Sequence, residues 1–243
     1  MTVLTVLFAL AFYAAFALLV YGVFVKVRQY WTTPVPLRIP TTPAPVNTRG
    51  VVARMAREVV LFESLFKASK WTWIFGWVFH VALVLVAIRH LRYVTEPVWW
   101  VSAALSPLGL YAGFALMLGL GGLLARRIFV DRVRYISAPS DFLMLALLLG
   151  LGGSGLAMKY VAATDIVALK AFMLGLMRFD WQPLPTDTVL LVHLALVLVL
   201  MVVFPFSKLL HAPGVFFSPT RNQADNTREQ RHVTTWSREV ERR

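Results

Sequence analysis

The sequence predicts an all-α membrane protein: five transmembrane helices, N-terminus outside and C-terminus cytoplasmic, plus an amphipathic helix lying in the cytoplasmic interface. Three observations lead there. Of 243 residues, 58% are hydrophobic and 15% charged, which is not the balance of a soluble domain. Apolar runs long enough to cross the roughly 30 Å hydrocarbon layer recur along the chain. The 24 Lys and Arg outnumber the 12 Asp and Glu, an excess that outside nucleic-acid binders gathers on the cytoplasmic loops of membrane spans. Cysteine is absent. The chain therefore holds no disulfide, no thiolate-ligated iron–sulfur cluster and no covalent c-type haem, and any metal chemistry must come from His or carboxylates.

The first run, Thr2 to Val25, has nothing basic before it and Lys26 and Arg28 behind it, the reverse of a cleavable signal peptide, so it reads as a retained span. Further spans are expected at Trp71 to Ile88, Val98 to Leu124, Phe142 to Val161 and Thr188 to Leu210. Orientation follows from the basic residues: segments 26–70, 125–141 and 208–243 hold 19, the other two loops five. Between the first two spans, Pro34, Pro36, Pro40, Pro43 and Pro45 exclude regular helix. After them Val52, Met55, Val59, Phe62 and Phe66 repeat at helical spacing, as in a helix lying at the interface, although plain anchoring explains that pattern equally well. Trp73, Trp77, Trp99 and Trp100 fall near span ends, where indole prefers the headgroup layer. The expected organisation is one membrane domain over 1–211, with a cytoplasmic linker and interfacial helix at about 27–70, and a basic tail over 212–243.

Gly150-Leu151-Gly152-Gly153-Ser154-Gly155 is a literal G-x-G-x-x-G, but it lies inside an apolar helix with no strand before it, so a dinucleotide site is rejected. Small residues there, and at Gly113, Gly119, Gly121 and Gly122, let helices approach or leave room for a flat ligand.

Ionisable residues at membrane depth are functional candidates. His80 and His90 belong to the second predicted span, His193 and His211 to the fifth, and His232 to the polar tail as a solvated side chain. Each alone reads more readily as an interhelical hydrogen bond or a boundary residue reaching water, but two on each of two helices form a pattern. Antiparallel spans pair His90 with His193 near the outside and His80 with His211 near the cytoplasm. The intervals of 10 and 18 residues span about 15 and 27 Å, giving two stacked sites. Eighteen residues keep His193 and His211 on one face; ten leave His80 and His90 about 80° apart. Two imidazoles without carboxylate or thiolate do not suit zinc or di-iron. Bis-imidazole haem b does suit them, with Gly76 one turn before His80.

The spacing of these histidines, Arg126-Arg127 followed by Asp131-Arg132-Val133-Arg134 and Asp141, and above all Phe204-Pro205-Phe206-Ser207-Lys208-Leu209-Leu210-His211, resemble the cytochrome b subunits typified by the respiratory nitrate reductase gamma subunit. The resemblance implies two non-covalent haems b, the outer on His90 and His193 and the inner on His80 and His211. It further implies quinol handled beside the outer haem and electrons exchanged with a cytoplasmic iron–sulfur subunit. A lysine associated with the family's quinol pocket has no counterpart near Val98 to Val101. Arg89 and Arg92 are the expected polar groups of a quinone site, since few other donors lie on that side.

Leu61-Phe62-Glu63-Ser64-Leu65-Phe66-Lys67-Ala68-Ser69-Lys70-Trp71 and Phe79-His80-Val81-Ala82-Leu83 are more similar to DsrM-type membrane subunits of the DsrMKJOP sulfur-metabolism complex. That likeness implies an iron–sulfur subunit related to heterodisulfide reductase, further membrane and periplasmic redox subunits, and a multi-pass place in the bacterial inner membrane. The competing expectations are a nitrate reductase gamma-type quinol-oxidising subunit and, from another class, a haem-free membrane anchor or transporter. The predicted spans carry no Asp or Glu away from their ends and show no repeat, which disfavours a transporter.

Overall fold

The computed structural model describes residues 2–33, 40 and 43–226; His232, Pro34 and Pro36 lie outside the described residues. Among the described residues the protein is helical without strands, and five helices are long and apolar enough to cross a membrane: Val3–Thr32, Lys70–Tyr93, Trp100–Phe129, Pro139–Tyr160 and Thr188–Phe206. Contacts divide the described residues into two compact units, one drawn from 2–20 and 65–204 and the other from 21–33, 40, 43–64 and 205–226.

Local chemistry sets each boundary. Helix α1 (Val3–Thr32) runs seven residues beyond the expected end at Val25, because nothing between Val25 and Thr32 breaks a helix. Asn47 caps α2 (Thr48–Leu61) by accepting from the Gly50 amide at 2.8 Å. Phe62, left-handed at φ 53°, separates α2 from α3 (Glu63–Ala68), so the residues expected on one interfacial helix, Val52 to Phe66, lie on two short ones. Helix α4 (Lys70–His90) starts at the Ser69 cap and passes into a 3-10 turn, Leu91–Tyr93. Next come α5 (Trp100–Phe129), α6 (Asp131–Tyr135) and α7 (Pro139–Tyr160), the last with Pro at its first position, where its missing N–H costs nothing. At the same end Asp141, 7% exposed, accepts from the Ala138 amide at 3.0 Å and faces Arg127 at 3.4 Å, while Arg127 donates to Ser137 at 2.7 Å. The Arg127 and Asp141 of the sequence motif therefore staple α5 to α7.

An element not foreseen is α8 (Ile166–Arg178), capped by the Asp165 carboxylate and closed by left-handed Phe179. At 13 residues it is about 20 Å long, too short to span. Its Leu169, Phe172 and Leu176 join Ala9, Phe12, Leu184, Leu190 and Leu194 in one buried cluster. Polar bonds fix α1 to the chain leaving α8. Tyr13 donates to the Leu176 carbonyl at 2.7 Å and accepts from the Trp181 indole at 2.9 Å, and buried Thr5 accepts from the Leu184 amide at 3.1 Å.

Helix α9 (Thr188–Val203) gives way to a 3-10 turn at Phe204–Phe206, since Pro205 has no N–H to continue the ladder. Ser207 is extended, and a second 3-10 turn, Lys208–Leu210, leads to α10 (His211–Gly214). The straight helix on which His193 and His211 were expected to share a face thus ends before His211. The last element, α11 (Pro219–Asn222), meets α2 through Arg221, which pairs with Glu58 and donates to Ser64.

Helices α4 and α5 approach closely at glycines. A Cβ on Gly119 would stand 2.9 Å from the Phe75 carbonyl and 2.8 Å from the Phe79 Cβ, and one on Gly122 would overlap the Phe75 ring, whereas Gly121 faces open space. Gly119→Ala should therefore lower the unfolding temperature in detergent, with overpacking costing about 1–3 kcal/mol. Gly121→Ala should be neutral or slightly stabilising, gaining up to about 1 kcal/mol of helix propensity. Equal effects of the two would show that the close approach is not under strain.

Candidate functional site

His90 ends α4 and His193 lies six residues into α9, and the structure brings their rings together with centroids 6.4 Å apart and planes 17° from parallel. An imidazole nitrogen ligates a metal at about 2 Å, so with the ring radius added on each side, two rings sharing one metal have centres roughly 6 Å apart. The observed separation fits that arrangement and is too wide for a direct hydrogen bond between the rings. The two rings line a cavity of about 540 Å³, otherwise mostly apolar, walled by Gly109 and Gly113 of α5 and Gly152 and Gly155 of α7. That volume is in the range of sites for small organic ligands. A Cβ on Gly155 would lie 3.5 Å from the His193 ring. The glycine-rich string of α7 therefore lies alongside the imidazole.

All four predicted histidines share one feature. Nδ1 of His80 meets the Gly76 carbonyl at 2.7 Å, Nδ1 of His90 the Val86 carbonyl at 2.7 Å, and Nδ1 of His211 the Lys208 carbonyl at 2.8 Å. Nδ1 of His193 meets the Ser154 hydroxyl at 2.9 Å. A carbonyl can only accept, so in a neutral ring the proton sits on Nδ1 and the lone pair on Nε2, the state that binds iron. Metal-ligating histidines characteristically make this second bond. His80 is half-buried in the first unit, while His211 belongs to the second unit and is exposed there. Among the described residues no three His, Cys, Asp or Glu side chains converge as metal ligands.

Of the two arginines expected near a quinone, Arg89 donates through Nη1 to the Ser106 carbonyl at 2.6 Å and hydroxyl at 2.8 Å, clamping α4 to α5. Arg92 lies over the Tyr93 ring at 5.7 Å. Both line the cavity, as do Lys159, Tyr160 and Thr164. Sequence reasoning passed over Lys159 and Ser154, which become visible only once α7 is placed beside α9.

The nitrate reductase gamma subunit family model matches residues 63–226. The chain belongs to this family. Among curated relatives, the Hdr-like menaquinol oxidoreductase cytochrome b-like subunit of Archaeoglobus fulgidus is 35% identical over 92% of this chain and 81% of its own length. The protein of the same name from Archaeoglobus profundus is 32% identical over 92% and 80%. The match to the family model starts at Glu63, the first residue of α3, and so includes all four histidines and leaves out α1 and α2.

The start of α9 rests on Asp187, six residues before His193. Its carboxylate accepts from the Val189 amide at 2.9 Å and from the Thr164 hydroxyl at 2.5 Å. Chiefly the Thr164 bond, aided by the Val189 and Leu190 amides against the opposing effect of burial, holds this carboxyl below its ordinary range. A depressed carboxyl stabilises the fold above its unfolded pKa, and that stability is lost as pH falls through the folded value. Thr164→Val should thus lower the unfolding temperature at neutral pH, and the gap from the parent should narrow progressively as the medium is acidified below the ordinary carboxylate range. A gap independent of pH would assign the loss to packing rather than to the carboxylate.

Proposed function

We propose that this chain is a quinone-linked membrane cytochrome b subunit. It carries two haems b, held by His90 with His193 and by His80 with His211, and exchanges electrons between the quinone pool and a cytoplasmic iron–sulfur subunit. The observation that carries the reading is the His90–His193 pair: near-parallel rings 6.4 Å apart on a cavity wall, each with Nδ1 engaged. Bound haem supplies one-electron transfer at a potential tuned by its axial ligands. The chain's own part is to present Nε2 lone pairs, to exclude water with an apolar wall, and to fix the helices that carry the ligands.

Quinol is the reductant that the relatives' name supports, and menaquinol is the form it prints. The quinone site sits near the outer haem. With Arg89 Nη1 committed to Ser106, Arg92 on the cavity wall is the better candidate to donate to a quinone carbonyl, and Arg89 orders the helix pair behind it. The Hdr-like name of the relatives and the DsrM-like segments support an iron–sulfur partner of heterodisulfide reductase type. The DsrM-like segments, rather than the relatives' name, are the basis for proposing further membrane and periplasmic redox subunits and a role in dissimilatory sulfur metabolism at the bacterial inner membrane, in the orientation given by the basic loops.

Single alanine substitutions test the ligand set. Each of His80, His90, His193 and His211 should halve the haem-to-protein ratio, His90 and His193 removing one spectral component and His80 and His211 the other. Two haems retained in all four variants would dismiss the assignment. Arg92→Ala should slow quinol-driven haem reduction at matched haem content more than Arg89→Ala does, and unchanged rates in both would take the arginines out of the site.

For the iron–sulfur partner, the basic tail is the proposed dock. Cleaving the chain after Asn226 removes five arginines and spares the Arg221 bonds to Glu58 and Ser64. Copurification of the partner should weaken, more so at high salt, with both haems kept. Undiminished copurification would move the dock elsewhere.

A further inference from the structure

The four histidines are not held alike: His80 and His90 donate to a backbone carbonyl of their own helix and His211 to one in the turn just before it, whereas His193 reaches across to another helix, near the Leu151 carbonyl and within hydrogen-bond distance of a side chain. That side chain is Ser154, 39 residues earlier in the chain and in the second half of α7. Its hydroxyl lies 2.7 Å from the Gly150 carbonyl and 3.1 Å from the Leu151 carbonyl, both acceptors only. A hydroxyl has one proton, and the nearer carbonyl takes it. The oxygen that remains can only accept from His193. The order of donation is therefore Nδ1–H of His193 to Oγ of Ser154, and Oγ–H to the Gly150 carbonyl.

We propose that Ser154 is a positioning residue for the outer haem, fixing the tautomer and rotation of the His193 ring so that Nε2 faces the metal site shared with His90. The proposal rests on the ligand assignment above and adds a residue that the ligand set does not contain. Three consequences are physical. The ring cannot turn about its bond without giving up a hydrogen bond in an apolar wall, where an unmet N–H is costly. Hydrogen bonding at Nδ1 raises the basicity of Nε2 and so favours the oxidised iron. Because the tether joins α7 to α9, it couples the ring to packing between spans, unlike an acceptor within its own helix. Adjacent Gly155 keeps the neighbouring wall clear, its missing Cβ lying 3.5 Å from the ring.

The test uses the full-length chain in membranes and the variants Ser154→Ala, Ser154→Thr and His193→Ala. The readouts are haem-to-protein ratio, midpoint potential of each haem by redox titration, and the ferric low-spin EPR signals, which respond to the relative rotation of the axial rings. In Ser154→Ala, one haem only should rise in potential and change its EPR signal, and it should dissociate about 10-fold faster. Ser154→Thr, which retains the hydroxyl, should restore the parent values. Ser154→Ala indistinguishable from the parent in potential and EPR overturns the proposal. So does loss of the haem in both Ser154 variants, which would mark a packing defect rather than a lost hydrogen bond. His193→Ala separates the two levels: if it keeps both haems the ligand assignment fails, and if it loses one while Ser154→Ala changes nothing, only the positioning role fails.

Discussion

Hydrocarbon offers no partner to a stray polar group, and the interior of this protein is arranged around that constraint. Arg89 is turned onto Ser106, the Ser102 hydroxyl onto the Ile88 carbonyl, Tyr13 onto Leu176 and Trp181, and each predicted ligand histidine onto an acceptor. Among the described residues the one buried side-chain atom without a partner is Oε1 of Gln223, beyond the spans. The constraint also orients chemistry. A histidine forced to donate through Nδ1 has its other nitrogen prepared as a ligand, so satisfying a polar group and building a metal site become the same act.

Small residues answer a second demand, for space, in two ways. Gly109, Gly119 and Gly122 let α4 and α5 approach until backbone meets side chain. Gly155 instead gives room to a ring. Composition cannot distinguish these uses, and what separates them is the neighbour across the gap.

The spans were legible in the sequence because twenty-odd apolar residues have no alternative in a lipid layer, and the histidines were legible because their spacing is unusual there. Helix α8 was not. Its apolar residues are too few for a span, and the Asp165 cap with Leu169, Phe172, Met173 and Leu176 at helical spacing was the signal available. The continuous helix behind a common face for His193 and His211 ends early for a local reason, since a periodicity argument assumes unbroken helix and Pro205 removes the donor that continuity needs. Ser154 stood inside a string rejected as a nucleotide motif. That rejection was sound, but it left the serine's tie to a histidine on another helix out of view, because a contact across 39 residues has no sequence period to betray it.

The bond from Arg221 to Ser64 joins residues 157 positions apart. At about 5–20 residues per second of synthesis, Ser64 leaves the ribosome some 10–30 s before the arginine that will hold it exists. Through that interval Glu58, only 9% exposed at its side chain once the pair forms, has no cation from the tail. The partners left to the Glu58 carboxylate in that interval are the Ser64 amide and hydroxyl. Closure of this unit is thus a late step in the life of the chain, after the last span has been made, and a protein cut short before Arg221 would leave this nearly buried carboxylate without the tail's cation.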